Sequence, residues 1–275
     1  MEYKDILVYL DDGASNAERI KTALSLAAHH NARLTAVTLD NLQPKHLKIT
    51  DAKAIEMISK QDAQKRMDDF NLLAEKKGIE SACKIITNEN NSCARRLAQF
   101  ARNFDIIILR QARPKSRNHA LMEDIAEQVL LLSGRPVFFM PYIGAHRIPC
   151  QKAIIAWDGT PAATRAVHDT LPILQCIGDV VILCVREGKK KTAKGELLAD
   201  DLSAHLKRHN IDARVKRINA GTFDVPTVIL NVIAESDSDL IIMGGYGTPS
   251  LRQKIFGGVT STLLANMTIP VVMSH

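Results

Sequence analysis

Short apolar runs bounded by turn residues alternate along this chain with segments of helical period. In the second half the runs fall near 153–157, 179–185, 212–218, 239–243 and 269–273. Continuous apolar runs of this length predict parallel strands buried on both faces, joined by crossover helices. The helices show their own period: Ala166, Val167, Leu171 and Leu174 recur on one face in the second half, as do Leu121, Met122, Ile125, Ala126 and Val129 in the first. Asp224 stands where an N-cap is expected, with Pro226 in the turn that follows.

The pattern occurs twice. Asp105-Ile106-Ile107-Ile108-Leu109 precedes Arg135-Pro136-Val137-Phe138-Phe139-Met140, and Asp239-Leu240-Ile241-Ile242-Met243 precedes Ile269-Pro270-Val271-Val272-Met273. Asp105 to Pro136 and Asp239 to Pro270 both span 31 positions. Each half opens with an apolar strand that ends in acid, Ile6 to Leu10 then Asp11-Asp12, and Ala153 to Trp157 then Asp158-Gly159. Two copies of one domain are the economical reading. The first acid lies 94 positions before Asp105 in one copy and 81 before Asp239 in the other, which places an insertion in the charged stretch from Gln43 to Lys77. The linker Pro141 to Pro149 carries a helix breaker at each end, giving domains at 1–143 and 150–275.

Composition narrows the function. The 275 residues are 46% hydrophobic and 24% charged, ordinary values for folded domains. Five cysteines form no CxxC pair, so reduced, structural thiols are expected rather than a zinc ribbon or redox dithiol. A net charge of +6 with only 4% aromatic residues and no RNA- or DNA-reading motif argues against specific nucleic-acid binding. No apolar run approaches the roughly 20 residues of a membrane span, and the amino terminus lacks signal-peptide features, so a cytoplasmic protein is expected.

One constellation could carry chemistry. Gly244-Gly245-Tyr246-Gly247 follows the fourth strand of the second half, and nine residues separate Gly247 from Gly257-Gly258-Val259-Thr260. Glycines let backbone amides approach a phosphate, and the helix after Gly258 would turn its positive end to the same anion. In an open parallel sheet ligands sit at the carboxyl ends of strands near a switch in strand order, the edge on which Asp158 would lie.

G-x2-G-x9-G followed by a small residue, with the Asp after strand one and the terminal Pro-Val-Val strand, resembles the ATP-binding signature of universal stress proteins. The resemblance implies an α/β fold of two tandem domains, each a five-stranded parallel sheet flanked by helices in an adenine nucleotide α-hydrolase-like, Rossmann-like sandwich. It implies ATP, with ADP or AMP as alternatives, in a stress-response protein that is often a homodimer and at most a slow ATPase. By position Asp158 would contact the adenosine end and Val185 would line the adenine pocket. Gly244, Gly247 and Gly257 would wrap ribose and phosphates, and Met243, Val259 and Thr260 would complete the shell. Gly258 stands where the family usually has Ser or Thr, keeping an amide but losing a hydroxyl worth about 0.5–1.5 kcal/mol. In the first half Leu109 is followed by Arg110-Gln111-Ala112-Arg113-Pro114, where side chains would fill the nucleotide's space, so no ATP is expected there. Arg110, Arg113, Lys115 and Arg117 form a solvated loop or attract another anion. The two domains would pair through their last strands, which otherwise stand as exposed apolar edges.

Other readings are weaker. Glycines can be plain turns, and no GKT or GKS of a P-loop is present. Asp11-Asp12 lacks the further Asp and Lys of a response regulator and reads as a turn and cap feature. Asp158-Gly159-Thr160-Pro161 is not the phosphate loop of a synthetase. His205 and His209 share a helix face but have no third metal ligand nearby in sequence, so a solvated face is expected. Lys189-Lys190-Lys191 and Lys194 read as a solvated basic loop, and Trp157 as packing. A nucleotide-free interaction module is the alternative function.

Overall fold

The structure is a computed structural model that describes residues 2–40, 52–87, 92–116, 118–143, 148–186, 198–246 and 258–275. The chain divides into two compact units. One comprises 2–110 with 117–135, the other 111–116 with 136–275.

The first unit contains β1 (Asp5–Leu10), α1 (Asn16–His30), β2 (Arg33–Asp40), α2 (Ala52–Lys76), β3 (Ser81–Thr87), α3 (Cys93–Ala101), β4 (Ile106–Arg110) and α4 (His119–Leu132). Its strands lie in the order β3-β2-β1-β4 and every pair is parallel. β1 and β4 are apolar and buried along almost their whole length, as strands covered on both faces must be. Met122, Ile125 and Val129 of α4 are buried, the face that the helical period predicts. The 25 residues of α2 occupy most of the stretch read as an insertion, while Gln43 and the rest of 41–51 lie outside the described residues.

The second unit contains β5 (Val137–Met140), β6 (Lys152–Ala156), α5 (Pro161–Asp169), α6 (Leu171–Leu174), β7 (Asp179–Arg186), α7 (Ala199–Arg208), β8 (Ala213–Asn219), α8 (Val225–Ser236), β9 (Leu240–Gly244), α9 (Val259–Asn266) and β10 (Val271–Ser274). The order is β5-β10-β9-β6-β7-β8, with β10, β9, β6, β7 and β8 a parallel set of five. β5 joins this sheet antiparallel to β10, Phe138 opposite Val272. By repeat spacing β5 is the last strand of the first copy, yet it packs with the second unit, where Gln111 also donates from its side chain to the Leu264 and Ala265 carbonyls.

One helix expected from periodicity is two. Thr170 ends α5, its hydroxyl donating to the Ala166 and Val167 carbonyls, and Pro172 begins the new turn of α6 without needing an amide partner. Asp224 caps α8, accepting from the Thr227 amide at 3.0 Å. No helix among the described residues is long and apolar enough to cross a membrane.

Candidate functional site

In the second unit the chain runs from β6 outward through β7 to β8, then returns to the other side of β6 as β9. The carboxyl ends of β6 and β9 therefore flank the switch point, where two connections leave in opposite directions and open a crevice. Trp157 extends β6 by one step, its amide donating to the Leu183 carbonyl, and its ring is buried. Asp158 follows, exposed at the mouth. Its Oδ1 accepts from the Thr160 amide at 3.0 Å and the Thr160 hydroxyl at 2.7 Å, across a turn in which Gly159 takes a left-handed φ of 71°. Thr160 also caps α5, its hydroxyl oxygen accepting from the Ala163 amide. Asp158 is thereby held in a fixed turn with its second oxygen uncommitted to that turn.

Across the crevice Gly244 ends β9. A Cβ there would lie 2.5 Å from the Ala163 nitrogen and 2.8 Å from the Ala162 carbonyl carbon, so only glycine lets the first turn of α5 close onto the strand. The Gly245 amide donates to the Ser274 carbonyl, and Tyr246 adopts a left-handed φ of 50°. Its amide donates to the Thr260 hydroxyl at 3.1 Å, tying the start of the glycine loop to the first turn of α9. Gly258 is the N-cap of α9 with φ 109°, a conformation that Ser or Thr adopts only with strain. The missing hydroxyl thus coincides with a backbone that calls for glycine.

The structure brings Asp158, Met243, Gly244, Gly258, Val259 and Thr260 to the carboxyl edge of β6 and β9 or to the start of α9; Val185 stands near the end of neighbouring β7, opposite Ile218. Gly247 and Gly257 lie outside the described residues, as do Lys189, Lys190, Lys191 and Lys194. Thr160 and the Ala162–Ala163 peptide were missed by motif reading. A Thr before Pro at the start of a helical run is the signal that marks such a cap.

The equivalent place in the first unit, between the carboxyl ends of β1 and β4, is built differently. Asp11 stands at the position of Asp158 and Arg110 at that of Gly244, and Asp11 is only 6% exposed, Arg110 7% and Arg19 of α1 0%. Arg19 Nη2 donates to Asp11 Oδ1 at 2.7 Å and to Asn16 Oδ1 at 2.6 Å, while its Nε donates to the Tyr9 carbonyl. Arg110 Nε pairs with Asp11 Oδ2, and the Gly13 amide donates to Oδ1. Burial would raise the Asp11 carboxyl, but Arg19 and Arg110 outweigh it and hold the group below the usual carboxylate range. Two cations to one carboxylate leave Arg19 Nη1 buried without a hydrogen-bond partner.

Two expectations change here. Asp11 does close a turn, its Oδ1 accepting from the Gly13 amide, but it does not cap α1, whose N-cap is Ser15, and it is also the centre of a buried ion triad on which both strand ends and α1 converge. Arg110 is a paired core residue and neither a solvated loop side chain nor an anion collector; Arg113 and Lys115 are exposed, and Arg117 lies outside the described residues. Arg19 was missed, although its helical period places it on the buried face with Ala23 and Ala27.

A parallel sheet flanked by helices, with a crevice at its switch point, defines an α/β sandwich domain. Residues 150–275 match the universal stress protein family, and the chain carries a domain of that family over this range. A universal stress protein from Archaeoglobus fulgidus is similar over 98% of this chain and 94% of its own, with 18% identity and a TM-score of 0.71. A functionally unknown protein from Pseudomonas aeruginosa is similar over 98% of this chain and 92% of its own, with 12% identity and a TM-score of 0.62. These likenesses show the fold of the whole chain, and the tandem layout fits them. No curated protein matches the chain in sequence.

Proposed function

We propose that the chain is a stress-response protein whose second unit binds ATP, or ADP or AMP in its place, across the carboxyl ends of β6 and β9. The observation that carries this reading is the Gly244 backbone packed side-chain-free against α5, facing a fixed Asp158 turn at the switch point. In the proposal Asp158 holds the adenosine end, Val185 lines the base, Gly244, Gly247, Gly257 and Gly258 offer backbone to ribose and phosphates, and Met243 completes the shell. The α9 amino terminus, with Val259 and Thr260 in its first turn, adds its positive end. The role needs no catalysis beyond slow hydrolysis. The two sequence repeats, 1–143 and 150–275, are taken as domains coupled through β5 and β10, and the family resemblance supports a cytoplasmic homodimer.

A nucleotide-free scaffold is the second reading. It is favoured by Gly258, which supplies no hydroxyl, and by the Thr260 hydroxyl already accepting from Tyr246. Nucleotide released on denaturing the purified chain, followed by calorimetric titration of ATP into wild type and Gly247→Val, separates the two. One site per chain, lost in the variant, is expected. No released nucleotide and no heat at millimolar ATP would leave the scaffold.

A further inference from the structure

The sequence pairs His205 and His209 on one helical face and leaves them without a third partner. The fold supplies one. His168, near the end of α5, packs its ring 5.1 Å from that of His205 at 53°, and His205 lies 4.7 Å from His209 at 60°. Three imidazoles thus meet where α5 faces α7 and its C-cap. Among the described residues no group of three His, Cys, Asp or Glu side chains is arranged to hold a metal ion, so the ligand that this cluster can take is the proton.

The surroundings make that proton costly. Burial, then His168, His209 and Arg208 all push the His205 imidazole below its ordinary range, and its Nε2 is buried with no hydrogen-bond partner. The nearby charges offer little relief. On α5, Arg165 and Asp169 pair with each other, and Asp169 also accepts from the Ser274 hydroxyl. On α7, Asp200 pairs with Arg217 of β8, while Asp201 is exposed one turn before His205. Residues 171–175, which reach the cluster through the Gln175 amide donating to the His209 carbonyl, carry no charge.

We infer that His168, His205 and His209 form a proton-sensitive latch between α5 and α7, closed while the imidazoles are neutral and loosened when acidification charges more than one of them. Two imidazolium rings about 5 Å apart repel, and each gains solvation by moving away from the other. The sign follows from His205: its folded state favours the neutral ring, so the stability it contributes is present above the unfolded value of about 6.5 and drains as pH falls toward the lower folded one. The inference is independent of nucleotide binding.

The test follows imidazole carbon-bound proton signals of the full chain by NMR between about pH 8 and about pH 4.5, in wild type and in His168→Gln, whose site is exposed and tolerant. The His205 midpoint should lie below about 6.5 in wild type and rise by roughly half a pH unit in the variant. Thermal unfolding gives a second readout: between about pH 7.5 and about pH 5 the wild-type midpoint should fall further than that of His168→Gln/His209→Gln. An unmoved His205 midpoint, or equal pH slopes in both proteins, would overturn the latch.

Discussion

The same edge of two similar sheets has been finished in opposite ways. In the second unit the strand facing the acid ends in Gly244, and a helix closes onto bare backbone; in the first it ends in Arg110, which turns inward to meet Asp11 with Arg19. A crevice without side chains keeps room for a ligand but depends on close backbone packing. A crevice filled by ions needs no ligand but is committed to a buried charge balance. The contrast teaches that a strand end without the glycine motif need not leave a damaged site, since here the space is occupied by a carboxylate paired with two arginines.

The largest effect is expected from breaking the filled side. Asp11→Asn strands Arg19 and Arg110 without their counter-charge and should cost about 3–5 kcal/mol in denaturant unfolding. It also changes the acid limb. The wild-type Asp11 carboxyl is depressed in the folded state, so its contribution is complete above the unfolded value of about 3.9 and is lost as pH falls through the lower folded value. The variant should lack that part of the acid transition, and acid titration of both proteins checks it.

Next comes the open side. Gly244→Ala places a methyl into the Ala162–Ala163 peptide and should cost about 1–3 kcal/mol by displacing α5. Equal stability of variant and wild type would mean that the approach of α5 to β9 is looser than described. Thr160→Ala removes the α5 cap and one of two contacts to Asp158, with an expected loss of about 1 kcal/mol in thermal or chemical unfolding. The smallest change is expected from Thr260→Val, which takes the acceptor from the Tyr246 amide at about 0.5–1.5 kcal/mol. Faster hydrogen exchange at that amide is its specific signature.

Much of this was legible in the residues. Apolar runs marked β1, β4 and the strands from β5 to β10 to within a residue or two, and the 31-position spacing marked the repeat, while β2 and β3 were not read. Which unit β5 packs with was not legible, because the repeat spacing assigns it to the first copy, whereas its apolar edge pointed to the last strand of the second, with which it pairs. The glycine motif pointed to the right edge, but the reason for Gly244 lies in a helix 80 residues away in sequence, and the φ of Gly258 is a property of the folded turn. The first unit shows the limit most clearly. Arg110 looked like a loop residue beside Arg113 because composition cannot tell a paired cation from a solvated one, and its partner Asp11 sits at the other end of the domain in sequence.

The central claim is that only the second unit keeps a nucleotide crevice. Photolabelling of the full chain with 8-azido-ATP, followed by peptide mapping with and without excess ATP, tests it most directly. Protectable label confined to peptides within 150–275 is the predicted result. Protectable label on peptides bearing Asp11 or Arg110, or none anywhere, would contradict it.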